Sequence, residues 1–246
     1  MPKERVATGV TGLDEMLSGG FVPGTAVLVR GAPGCGKTSL GLQYLVQGAR
    51  NNEPGLLISF EEFPPSIHRD AESLGWNLSD LEETGQLHLM FTSPQMLLDS
   101  LGSPQSALSR LMLDGGIRRV VLDSITHFTR LTDDNIKLRG IYNTIINGLK
   151  REGVTSLLLG EESRMPNPRQ EKGRLSFVVD CILLLRYVEV ESAIQRAVVV
   201  LKMRGSDHAK DIRRLEIRKG GLVITDVFEG RENILSGISH RVAVAR

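Results

Sequence analysis

The sequence predicts an α/β protein with a mainly parallel twisted sheet, helices on both faces, and an antiparallel extension toward the carboxyl end. Three observations carry this. Strand-like and helix-like runs alternate through the first two-thirds of the chain, the pattern of parallel strands joined by crossover helices. The segment Gly31-Ala32-Pro33-Gly34-Cys35-Gly36-Lys37-Thr38 fills every fixed position of the phosphate-binding pattern G-x-x-x-x-G-K-[ST], and it lies between a strand-like and a helix-like run. In the last third, strand-like runs follow one another with short turns between them.

In chain order, Ala26 to Arg30 reads as the strand leading into the glycine-rich loop, and Lys37 to about Arg50 as the helix leaving it. Leu42, Leu45, Val46 and Ala49 give that helix one apolar stripe. Leu56 to Phe60 is the next strand, expected to lie beside the loop strand because it follows the loop helix. Pro64 and Pro65 precede a polar helix through Ile67 to Leu74, as proline does at helix starts. Strands follow at Leu87 to Phe91, Val120 to Asp123 and Ser156 to Leu159. Between the last two, Leu138, Ile141, Tyr142, Ile145 and Leu149 repeat at helical spacing. Cys181 to Val190, Arg196 to Met203, Ile212 to Ile217 and Leu222 to Ile224 make up the extension, with Lys219-Gly220-Gly221 as a tight turn. No Ser- or Pro-rich linker and no repeat divides the chain, so residues 1–246 are read as one domain.

Composition narrows the class. Of 246 residues, 41% are hydrophobic and 24% charged, enough apolar material to bury a core without staples. A net charge of +1 gives no global pull toward nucleic acid or membrane. The two cysteines, Cys35 in the loop and Cys181 in an apolar run, read as reduced thiols. No apolar run reaches membrane-spanning length and the first residues lack a signal-peptide core, so a soluble cytoplasmic protein is expected.

The glycine-rich loop supplies the first chemistry. Without side chains at Gly31, Gly34 and Gly36, backbone N–H groups can close on phosphate oxygens at a helix start. Lys37 brings a point charge to the β- and γ-phosphates, and Thr38 offers a hydroxyl to Mg²⁺. The nucleotide-contacting stretch is therefore Gly34, Cys35, Gly36, Lys37, Thr38 and Ser39. Asp123 emerges at the carboxyl end of Arg118-Arg119-Val120-Val121-Leu122, where it would hold a Mg²⁺-bound water; capping the next turn is its other reading. Glu61 and Glu62 follow Leu57-Ile58-Ser59-Phe60. One would polarise the attacking water and the other shape the metal shell, which makes Glu61, Glu62 and Lys37 the catalytic candidates and Thr38, Asp123 and Glu61 the metal candidates. The same glutamate pair also fits a solvated acidic turn that starts a helix.

Four stretches resemble the KaiC family within the RecA-type ATPases: Thr8-Gly9-Val10-Thr11-Gly12-Leu13-Asp14-Glu15-Met16-Leu17 with Gly19-Gly20, the phosphate-binding loop (P-loop), Ile58-Ser59-Phe60-Glu61-Glu62, and Leu201-Lys202-Met203-Arg204-Gly205-Ser206-Asp207-His208. The resemblance runs from about Thr8 to Gly237. It implies a RecA-like P-loop ATPase using ATP and Mg²⁺, in which Glu61 and Glu62 activate the nucleophile and tune the metal. It further implies that Lys202, Arg204, Ser206 and His208 reach the nucleotide of a neighbouring subunit in a homohexamer. A cation delivered across an interface would stabilise charge on the transferring phosphoryl group. The residue-level alternatives are two alternating side chains on an exposed strand and a polar turn histidine. The output would be an interaction with an unidentified protein partner, in signalling or regulation.

Where the family's autophosphorylating domain has adjacent Ser-Thr sites, this chain has Ser176-Phe177, ahead of Tyr187-Val188-Glu189. Ser176 is thus a candidate phosphosite with weak autokinase activity, or a surface serine at a strand start, and a two-site cycle is not expected. A basic segment with Arg164, Arg169, Lys172 and Arg174 could line a ring channel and bind single-stranded DNA, although it lacks stacking aromatics apart from Phe177 at its edge. A DNA-stimulated recombination ATPase and a nucleotide-gated scaffold with negligible turnover are the alternative functions. His68, His88, His127 and His240 show no zinc-like spacing. Trp76 is read as a packing residue at a helix end or as an adenine contact.

Overall fold

A computed structural model describes residues 4–103, 105–162 and 172–228, together with the backbone of 231–232 and 240–241. After a short helix α1 (Leu13–Met16), β1 (Ala26–Gly31) runs into the P-loop and α2 (Lys37–Arg50), followed by β2 (Gly55–Ser59), α3 (Pro64–Ser73), α4 (Leu78–Glu83) and β3 (Leu87–Phe91). Helices α5 (Pro94–Gly102) and α6 (Ala107–Asp114) precede β4 (Arg119–Asp123), a 3-10 turn at Ile125–Arg130, α7 (Asn135–Arg151) and β5 (Thr155–Glu161). A second 3-10 turn, Lys172–Phe177, leads to β6 (Cys181–Val190), β7 (Ala193–Met203), β8 (Arg213–Arg218) and β9 (Gly221–Val227). Residues 231–232 and 240–241 form a separate two-stranded ladder.

The main sheet has the order β3-β2-β4-β5-β1-β6-β7-β8-β9. The strands from β3 to β6 pair in parallel, and β7, β8 and β9 continue antiparallel. This is the mainly parallel α/β sheet that the alternation of elements predicts, and it is consistent with the RecA-like P-loop fold that the resemblance implies. Two details differ from the sequence reading. Cys181–Val190 pairs in parallel with β1, so the antiparallel extension begins one strand later, at β7. The strand carrying the glutamates does not lie beside the loop strand, because β4 and β5 stand between them. The reason lies in α2, which crosses over β4 on its way. A Cβ on Gly41 would come within 2.8 Å of Val121 Cγ1, and one on Gly48 within 2.5 Å of Arg119 Cδ. Two missing side chains let the helix lie close over β4 and carry the chain to its far side.

Alternation along each central strand divides the interior in two. Val27 and Val29 of β1, Val121 of β4, and Leu157 and Leu159 of β5 face a core shared with Leu13, Leu40, Tyr44 and Leu45. Ala26, Leu28, Val120, Leu122 and Leu158 face the opposite core with Leu97, Leu108, Phe128, Leu138 and Ile145. Strands buried on both faces read as continuous apolar runs, which is why their sequences show no alternation. Helix starts are held by side chains: Ser93 Oγ accepts from the Met96 N–H, Ser106 Oγ from the Ser109 N–H, and Asp134 Oδ1 from Ile136 and Lys137.

Arg119 is wholly buried at the start of β4. Its Nη1 donates to the carbonyls of Ala7 and Tyr44 at 2.8 Å each, its Nε donates to Glu53 Oε2 at 2.7 Å, and its Nη2 also donates to that carboxylate. The guanidinium carbon sits 4.5 Å from the Tyr44 ring centroid. One side chain therefore ties the amino-terminal segment, α2 and the loop after it to the sheet. Arg119→Ala would leave the Ala7 and Tyr44 carbonyls and Glu53 without their donor. It is expected to lower unfolding free energy by about 3 kcal/mol, read from the urea midpoint.

Candidate functional site

The carboxyl ends of β1, β2, β4 and β5 share one edge of the sheet, the edge where open α/β sheets bind ligands. At the end of β1 the chain turns through the P-loop. Gly34 has φ +77° and Gly36 φ +105°, both in the left-handed region. A Cβ on Gly34 would meet the Tyr187 hydroxyl at 2.9 Å, and one on Gly36 would meet Ile217 Cδ1 at 3.1 Å. The loop thus needs glycine for backbone angle and for space. The buried Lys37 folds back over it, with Nζ donating to the carbonyls of Gly31 and Ala32 at 3.0 Å each. Cys35 is buried beneath the loop, and burial pushes its thiol up.

Thr38, the second residue of α2, donates from Oγ1 to Asp123 Oδ2 at 2.7 Å. Burial raises the Asp123 carboxyl above its ordinary range, against the lowering effects of the Thr38 hydrogen bond and Lys37. The register that places Ser59 opposite Asp123 sets Glu61 and Glu62 just beyond the strand end, where the Phe60 N–H donates to the Asp123 carbonyl at 3.2 Å. Glu62 is also raised, by burial first and then by Asp123, Asp70 and Glu61. Glu61 points toward solvent, and its Oε1 lies 3.3 Å from both His127 Nε2 and Arg130 Nη2. A cleft of about 60 Å³ beside it is lined by Ser124, Thr126, His127, Thr129 and Glu161 among others.

The donor set fits a magnesium–nucleotide complex. No cluster of three or more His, Cys, Asp or Glu side chains suited to a metal occurs among the described residues. Mg²⁺ with a nucleotide needs no such cage, since one hydroxyl, one carboxylate, waters and phosphate oxygens complete its octahedron. The Thr38 hydroxyl and the Asp123 carboxylate in hydrogen-bond contact would provide the protein share.

The structure brings Lys37, Thr38, Asp123, Glu61 and Glu62 to one edge and places Lys202 and Arg204 at the other. They lie at the end of β7, opposite the start of β6, whose residue Cys181 pairs with Val27 near the start of β1. Lys202 Nζ donates to the carbonyls of Ser176 and Val179 at 2.9 and 2.7 Å, and Arg204 Nη2 to that of Phe177 at 2.8 Å. Burial, and then Arg204, lower the Lys202 ammonium. Ser206 Oγ receives Arg5 Nη2 at 2.7 Å, and His208 Nδ1 lies 2.8 Å from the Ala209 carbonyl. Ser176 sits in the 3-10 turn that the Lys202 ammonium secures. Arg164 and Arg169 lie outside the described residues, and Lys172 and Arg174 are described only as backbone of that turn.

Several neighbours of the site escaped the sequence reading. Arg196 of β7 has Nη2 3.5 Å from the Gly34 carbonyl, its guanidinium carbon 5.4 Å from the Tyr187 ring centroid, and a buried Nε with no partner. Glu161 ends β5 between the P-loop strand and the Asp123 strand. His127, one of the scattered histidines, is buried against Glu61. Arg196 and Glu161 arrive through strand register and His127 through the 3-10 turn after β4, for which a single sequence offers no signal. Trp76 packs in the core, within reach of Gly221, as a packing residue does.

Comparison with known proteins matches residues 6–228 to the family described as "ATPase: KaiC". The chain is 33% identical over 243 residues to the circadian clock oscillator protein KaiC of a Picosynechococcus species, covering 98% of this chain and 46% of that protein. The KaiC proteins of Thermostichus vulcanus and of Thermosynechococcus vestitus are each 34% identical with the same coverage. The chain therefore spans about half the length of the curated relatives it matches.

Proposed function

The chain belongs to the KaiC ATPase family, and from that premise we propose that it is a Mg²⁺-dependent ATPase whose active sites are shared between subunits of a ring. The observation that carries this reading is the Thr38–Asp123 hydrogen bond with Glu61 and Glu62 beside it, a metal-ready pair next to carboxylates able to take a proton. In the proposed reaction, P-loop N–H groups and Lys37 hold the triphosphate. Mg²⁺ would neutralise charge on its β- and γ-oxygens. Glu61 or Glu62 orients a water and accepts its proton during attack on the γ-phosphorus, and ADP leaves. The raised carboxyl of Glu62 suits proton acceptance, whereas Glu61 must part from His127 and Arg130 to turn inward. Arg196, beside Gly34, adds a cation at the bound phosphates within the same chain.

Lys202 and Arg204 cannot reach the P-loop of their own chain, because they sit beside the starts of β6 and β1 while the loop follows the end of β1. A neighbouring subunit would present them to the γ-phosphate, as arginine fingers are presented. We read residues 1–246 as a single ATPase domain, assembling as a homohexamer with a signalling output toward a protein partner. No helix among the described residues is long and apolar enough to cross a membrane.

The primary test is release of phosphate from ATP with and without Mg²⁺; binding without turnover would leave a nucleotide-gated scaffold. Arg204→Ala is expected to cut turnover on the order of 10²-fold while ATP affinity stays within a few-fold. Mixing it with a variant lacking the glutamates should restore part of the activity, since some interfaces then combine two intact halves. Incubation with ATP is expected to label Ser176 weakly, read by phosphopeptide mass spectrometry. Single-stranded DNA is expected to leave turnover unchanged.

A further inference from the structure

Beside the glutamates, the sheet edge carries an apolar groove that ATP hydrolysis does not require. Phe63 and Phe91 stack with ring centroids 4.2 Å apart, yet remain 60% and 42% exposed. Phe60, Phe91, Pro94, Met96 and Leu131 line a groove of about 530 Å³ beside them, together with His127 and Arg130. Exposed aromatics in contact with one another mark an interaction surface rather than ordinary surface composition. Glu61, held 3.3 Å from both His127 and Arg130, and Glu62 border this surface, and Asp70 and Asp123 add negative charge near Glu62 against the single Arg69.

At the opposite edge the pattern is inverted. Phe177 is 56% exposed and Leu201 49%; Leu201 precedes Lys202 in β7, and the Phe177 carbonyl accepts from Arg204. Lys150 lies 2.6 Å from Asp180 and Arg204 3.9 Å from it, so three cations surround one carboxylate. One edge is therefore apolar with Glu61, Glu62, Asp70 and Asp123 against Arg69 and Arg130, and the other apolar with Lys150, Lys202 and Arg204 against Asp180. Their positions at opposite ends of one sheet prevent them from meeting within a chain. A second copy supplies the match, through a head-to-tail contact of the kind that closes into rings.

We propose that the Phe63–Phe91 groove of one copy receives Phe177 and Leu201 of the next, as an apolar latch that sets Lys202 and Arg204 beside the neighbour's Glu61 and Glu62. The inference deepens the shared-site reading and relies on it for the cations' role; the latch itself requires no turnover. It also gives Phe177 a purpose that a hydroxyl side chain could not serve, since burying an aromatic anchor dominates interface energetics.

Two variants, F91C and F177C, test the latch under mild oxidation with Mg²⁺ and a non-hydrolysable ATP analogue. The native Cys35 and Cys181 are buried and stay in place. The mixture is expected to yield an intermolecular disulfide that neither variant forms alone. F91C linking to itself, which requires a symmetric contact, or an assembled mixture without linkage would overturn the proposal. So would a chain that stays monomeric by light scattering. F63S combined with F91S, at exposed positions, is expected to weaken self-association by about ten-fold or more with thermal unfolding unchanged. Association unaffected by the double substitution would likewise reject the latch. Linkage without ATP hydrolysis would retain the latch and reject the catalytic reading; turnover with no linkage would do the reverse.

Discussion

Replacing Glu61 and Glu62 together by glutamine is expected to reduce ATP turnover on the order of 10²- to 10³-fold while leaving ATP affinity within about two-fold of the unaltered chain. Glutamine keeps the size of the side chain and one accepting oxygen but cannot take a proton, and general base catalysis contributes on that scale. The P-loop, Thr38 and Asp123 are untouched by the change, so the phosphate cradle survives. Burial and the nearby carboxylates already hold Glu62 above the ordinary carboxyl range, so removing that charge relieves repulsion rather than creating it. Glu61, itself exposed, gives up only its contacts with His127 and Arg130, so the folded chain should lose little stability. Phosphate release and calorimetric titration with Mg²⁺ and ATP, run on the same preparations, separate the two quantities. Undiminished turnover would assign these glutamates to a solvated acidic turn.

Lys37→Ala is expected to weaken ATP binding by about 10- to 100-fold and to reduce turnover with it. Hydrogen bonds to charged groups contribute roughly 1.5–3 kcal/mol each, which corresponds to that range in affinity. The ammonium is buried and engaged with the Gly31 and Ala32 carbonyls, so its loss also removes two contacts that shape the loop. Lys37→Arg separates the contributions. It keeps the charge but carries a planar fork that does not match the point-charge position. If the loss comes from loop shape alone, the two variants will unfold at lower temperature in parallel; if it comes from charge, arginine will recover part of the affinity.

Much of the fold could be read from the sequence because its strands are buried on both faces and its helices carry single apolar stripes. The P-loop was legible as well, since its glycines are required by backbone angle and by contacts with Tyr187 and Ile217. Neighbour relations in the sheet were less so. The expectation that β2 lies beside β1 failed because Gly41 and Gly48 let α2 pass over β4, a consequence of contact rather than of composition. Helices α5 and α6 went unread, although Ser93 and Ser106 cap them. Arg196, Glu161 and His127 reach the site by register and turn geometry, and their sequence surroundings distinguish them from ordinary strand and turn residues in no way.

The placement of Lys202 and Arg204 at the far end of the sheet from the P-loop has a kinetic consequence. If hydrolysis needs both, specific activity will depend on protein concentration: serial dilution should switch the enzyme off along the dissociation curve of its own contacts. A cell could then set ATP consumption by expression level alone, with no inhibitor required.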